Sequence, residues 1–101
     1  MKVEYSNRAV ADLRKISTES RLVFGDRVAE AIEARIQAVI KRISIAPLSA
    51  PQVEGRPGLH VVPLLRYPFK IFYRVLKERI KIQHIRHSAR RPWRGREEEG
   101  T

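Results

Sequence analysis

The sequence predicts a two-layer α+β fold of order βααβββ, with a helix hairpin packed on one face of a mainly antiparallel sheet. Three observations carry this. Val28, Ile32, Ile36, Val39 and Ile43 recur at three or four residues and make one apolar helical stripe in the first half. Two aromatic and β-branched runs, 69–76 and 79–87, follow in the second half and are joined through Lys77–Glu78, short enough for an antiparallel hairpin. Between the halves lies a stretch rich in turn formers, with Pro47, Pro51, Gly55, Pro57 and Gly58.

Taken in order, Lys2–Tyr5 alternates polar and apolar residues as a short strand does, and Ser6 or Asn7 offers a side-chain oxygen to cap a following helix. From Arg8 the apolar positions Ala9, Leu13, Ile16 and then Val23 or Phe24 keep helical spacing, placing the first helix near 7–22. Gly25 interrupts that run, and Asp26 starts a second helix that must end before Pro47, because the residue before proline disfavours the α region. Two helices joined at Gly25 form an antiparallel hairpin.

Strands are expected near 59–65, 69–76 and 79–87. Pro63 cannot donate to a ladder, so the first of these lies on an edge or is bulged. Strand periodicity sends Lys70, Phe72 and Arg74 to one face and Ile71, Tyr73 and Val75 to the other. Ile80 and Ile82 alternate but Ile85 breaks their phase, which suggests a bulge and leaves open which face His84 and His87 occupy.

The bulk properties narrow the function. With 101 residues, 43% hydrophobic and 32% charged, the chain holds one core, assigned to a single domain over 1–95, with Arg96–Thr101 as a solvated acidic tail. A net charge of +10 favours an anionic partner. The absence of cysteine excludes disulfides and thiolate metal sites and suits the cytoplasm. Neither a signal peptide nor a membrane-spanning run is evident, so a soluble protein is expected.

Between Arg66 and Arg96 stand eleven Lys or Arg and one acid, Glu78. Lys70 and Arg74, about 13 Å apart along one strand face, suit an extended anionic strip rather than one phosphate. Arg90, Arg91, Arg94 and Arg96 surround Trp93, a combination able to grip an acidic partner by bidentate pairing while the indole buries. His84 and His87 have no neighbouring carboxylate or thiol in sequence, so neither a metal site nor a cofactor is expected. Tyr67, Phe69 and Tyr73 read as packing residues.

Three segments in this order, YSNRAVADL opening the first helix, RYPFKIFYRV on a central strand and IQHIRHSARRPW closing the chain, resemble the ParE branch of the RelE/ParE toxin superfamily over about 3–94. The resemblance implies the toxin of a type II toxin–antitoxin module, neutralised by a ParD-like antitoxin. ParE-type toxins are associated with DNA gyrase, whereas RelE-type toxins cut mRNA on the ribosome.

The RelE-type pattern transfers only in part. Lys70 stands where that pattern has a strand arginine and Arg90 where it has the arginine after the last strand, but Leu59–Leu64 lacks its lysines and Trp93 stands where a tyrosine is required. Tryptophan transfers no proton at neutral pH. The expected function is therefore a toxin that binds a macromolecular target through Lys70, Arg74, Arg86, Arg90, Arg91 and Trp93. The alternative is a ribosome-dependent endoribonuclease using Lys70, Arg90 and His87, since histidine can stand in for a missing base. A plain nucleic-acid-binding module is the third reading. A further expectation is that any part of the helical stripe left uncovered by the sheet forms a groove for an antitoxin helix.

Overall fold

The computed structural model describes residues 1–88, arranged as β1 (Lys2–Tyr5), α1 (Asn7–Phe24), α2 (Asp26–Ile45), β2 (Leu59–Pro63), β3 (Phe69–Leu76) and β4 (Arg79–His87). The acidic tail, with Arg90, Arg91, Trp93 and Arg94, lies outside the described residues.

Each boundary has a local cause. Ser6 in extended conformation accepts the Ala9 N–H at 2.9 Å through Oγ and so starts α1. Gly25 at φ +88° separates the helices, a conformation that costs an L side chain energy. Helix α1 runs two residues past its expected end, to Phe24, because that glycine and not the serine-rich middle terminates it. Strand β2 ends at Pro63, short of the expected residue 65. Glu78 at φ 59° makes the tight turn between β3 and β4.

The sheet order is β1-β4-β3-β2, with β1 parallel to β4 and the other pairs antiparallel. Register resolves the phase problem on β4. Tyr73 pairs with Ile82 but Phe72 pairs with His84, so Gln83 is the extra residue of a bulge. The bulge returns Ile85 to the side of Ile80 and Ile82, and all three are fully buried with Ile71 and Tyr73.

That side carries the helices. Ile32, Ile36, Val39, Ile40 and Ile43 of α2, with Ala9 and Ile16 of α1, meet the sheet in one core. On the opposite side Leu59 and Phe72 form a small second cluster with Val53 and Val61. The centre of that face is therefore closed.

The Pro/Gly-rich connector is more than a link. The Val61 N–H donates to the Pro51 carbonyl at 3.1 Å and the Val53 N–H to the Leu59 carbonyl at 2.7 Å, so this segment covers the outer edge of β2. Tyr73 donates its hydroxyl to the Pro47 carbonyl at 2.6 Å, and buried His60 bonds the Ala50 carbonyl through Nδ1 at 2.9 Å while stacking on Tyr73 at 5.2 Å. Burial pushes the Tyr73 phenol above its usual value of 10.0.

Candidate macromolecular interface

Near the helix turn the apolar stripe leaves its cover. Leu22, Val23 and Phe24 are 81%, 69% and 64% exposed, so the expectation that Val23 or Phe24 joins the core face is corrected. The sheet does not reach this end of the hairpin. Val23, Phe24 and Val28 instead border a groove of about 870 Å³, whose other wall is Tyr67, Phe69, Ile85 and His87.

The groove runs along α1 to the part of the β4 edge that β1 leaves uncovered. Strand β1 pairs with β4 only as far as Tyr5 opposite Ile82. Beyond that point α1 supplies side chains in place of a strand. Ser6 donates its hydroxyl to the Gln83 carbonyl at 2.7 Å, and Asp12 accepts the Ile85 N–H at 3.0 Å and bonds His84 Nδ1 at 2.6 Å through the same Oδ2. Arg8 Nε lies 3.8 Å from the other Asp12 oxygen. Because a carboxylate only accepts, His84 carries a proton on Nδ1. Sequence reasoning missed Asp12, whose partners on β4, His84 and Ile85, lie more than seventy residues away.

The basic residues singled out in the sequence separate by face. Lys70 is exposed and pairs in register with Pro63 on one side and Arg86 on the other. Arg74 shares that face, is half-buried and donates to the Pro57 carbonyl at 3.3 Å. Arg86 also shares it but is only 8% exposed. His87 pairs with Phe69 on the helix side and meets that ring edge-on at 5.4 Å. Lys70 and His87 thus lie on opposite faces and are not brought together, while Arg90 lies outside the described residues. His84, stacked on Phe72 at 6.0 Å, is the histidine on the face of Lys70.

Among the described residues no group of three His, Asp or Glu side chains could hold a metal ion, and no helix is long and apolar enough to cross a membrane.

The fold agrees with what the chain resembles. A family model described as the ParE toxin of the type II toxin–antitoxin system parDE matches residues 3–92, and the chain belongs to that family. Among solved structures, a chain of the chromosomal ParDE toxin–antitoxin system from P. aeruginosa superimposes with a TM-score of 0.75 at 26% identity, covering 86% of this chain and 95% of that one. The isolated E. coli RelE toxin gives 0.60 at 16% identity, covering 89% and 86%. A chain of the intact E. coli RelBE toxin–antitoxin complex gives 0.59 at 17%, covering 89% and 98%. These last two likenesses establish a shared fold. Comparison with curated proteins gives no match.

Proposed function

We propose that this chain arrests growth by binding DNA gyrase and that a ParD-like antitoxin silences it by seating an amphipathic segment in the groove at the helix turn. The family match supports the class. The observation that carries the antitoxin reading is the uncovered apolar wall of Val23, Phe24 and Val28 facing Tyr67 and Phe69, which suits a helix presenting apolar anchors. A noncatalytic mode is supported by the surroundings of Lys70, whose register neighbours, Pro63 and Arg86, offer no base at neutral pH. The basic face and the Arg90, Arg91 and Trp93 segment are the proposed contacts with the target. Supercoiling by purified gyrase should fall in the presence of the toxin and recover on adding antitoxin. Arg90→Glu with Arg91→Glu should abolish that inhibition while leaving the thermal midpoint nearly unchanged. Unimpaired supercoiling at saturating toxin refutes the gyrase target.

One observation favours a second reading, a ribosome-dependent ribonuclease. Asp12 fixes the His84 ring through Nδ1, and His84 shares a face with Lys70. Purified ribosomes programmed with mRNA separate the two: cleavage at the decoding site that is lost in His84→Gln supports the nuclease.

A further inference from the structure

A buried hydroxyl stands in the apolar part of the groove. Ile16, Ser20 and Phe24 follow one another along α1 at intervals of four residues and all line the groove, so they form one ridge of its wall. Helix α2 contributes Val28 and Ile32 to the same wall. Ser20 is thus a short side chain between two long ones, a notch in that ridge. It is 5% exposed, and among the described residues its hydroxyl makes no hydrogen bond. Ser6, Ser44 and Ser49, by contrast, each donate to a backbone carbonyl at 2.6–2.7 Å, Ser44 to its own helix.

The notch acts when the groove is filled. While the groove is open, solvent can satisfy the hydroxyl; an occupant with apolar anchors drives that solvent out. A hydroxyl dried without a partner weakens binding, whereas one met by a complementary group does not. Such a point discriminates more sharply against a missing polar group than an apolar wall does against a missing methylene. We propose that Ser20 is the specificity-determining residue of the groove, read by a neutral amide or hydroxyl side chain that the antitoxin segment seats in the notch. This rests on the antitoxin reading of the groove given above. An ionised side chain is the poorer fit, because the surrounding wall is apolar and one hydroxyl does not offset the loss of its hydration. The notch lies about 6 Å along α1 from Phe24. A helical occupant therefore carries its polar residue three or four positions from the apolar anchor that meets Phe24.

Titration of the full-length toxin with its cognate ParD-like antitoxin tests this. Ser20→Ala keeps a small residue in the notch, so the thermal midpoint should hold while affinity falls about tenfold. Alanine substitution of each polar residue in the antitoxin segment should then find one position that costs about tenfold against wild-type toxin and nothing further against Ser20→Ala, as direct partners do. Unchanged affinity in Ser20→Ala, with Val23→Ser and Phe24→Ser still weakening binding, would keep the groove as the antitoxin site and overturn the role of Ser20; its hydroxyl would then turn back to the Ile16 carbonyl. If none of these toxin variants alters affinity, the groove reading falls with it. A lowered thermal midpoint in Ser20→Ala, or no antitoxin position coupled to it, would make the serine a spacer within the fold and overturn the proposal as well.

Discussion

The two ends of the helix hairpin carry similar apolar residues and meet different fates. From the middle of α2 onward, Ile36, Val39 and Ile43 are each 1% exposed and Ile40 is 3% exposed, and among its large apolar residues there only the last, Ile45, turns out to solvent at 75%. At the turn, Leu22, Val23 and Phe24 are mostly in solvent and Val28 is 37% exposed. The difference lies in the chain beyond α2. There the connector doubles back, anchored by Tyr73 to Pro47 and His60 to Ala50, and closes that end. Nothing comparable among the described residues covers the turn. One end is covered by the chain's own connector and the other is left open, and a stripe on a helical wheel does not distinguish them.

The strongest way to break the comparison is to cut the same kind of side chain at each end. Ile36→Ala at the closed end should lower unfolding free energy by about 2–5 kcal/mol, through lost burial and a cavity, measured by urea titration. Val23→Ser with Phe24→Ser at the open end should stay within about 0.5 kcal/mol of wild type, as exposed substitutions do. That second variant should instead weaken antitoxin binding by about 30-fold or more, as loss of an apolar anchor does. If both variants unfold equally easily, the turn is core and the groove reading fails.

Asp12 serves neither end of the hairpin but completes the β4 edge where β1 stops. Asp12→Ala deprives the Ile85 N–H and His84 Nδ1 of their acceptor, with an expected cost of about 1–3 kcal/mol. Asp12→Asn keeps one acceptor oxygen and should cost less. Amide exchange at Ile85 locates the effect: it should accelerate in Asp12→Ala more than exchange at Ile80, which lies beside β1.

A feature is legible in the sequence to the extent that its causes are local. Gly25, Pro47 and the Lys77–Glu78 turn set boundaries by backbone chemistry within a few residues, and the strands and helices fall where that chemistry places them. The broken phase at Ile85 announced a bulge because a period of two tolerates no slip, and Gln83 is that extra residue. Three features were hidden because their partners are distant in sequence. Pro51–Val53 carries no strand pattern yet covers β2, Asp12 resembles any helix-surface acid, and Val23 has the spacing of a core residue without a sheet to meet. The site was legible only in outline: the pattern placed Lys70 and Arg74 on one face but could not separate His84 from His87.

The smallest effect concerns the tether at the closed end. Tyr73→Phe removes the hydroxyl that reaches the Pro47 carbonyl and leaves that carbonyl without this donor, at an expected cost of about 1 kcal/mol near neutral pH. The same phenol makes the closed end sensitive to alkali. Its pKa in the fold is raised above 10.0 by burial, so around that pH the unfolded chain releases a proton that the folded chain retains. The unfolded state then binds fewer protons, and stability falls with rising pH through the interval between the two values. The Tyr73 contribution is whole below pH 10.0 and declines above it, whereas Tyr73→Phe lacks this component. Denaturation midpoints tracked from neutral pH into the alkaline range should therefore converge for the two proteins. Parallel curves would mean that the phenol ionises as easily in the fold as in the open chain, and that the connector is held by His60 and the β2 edge alone.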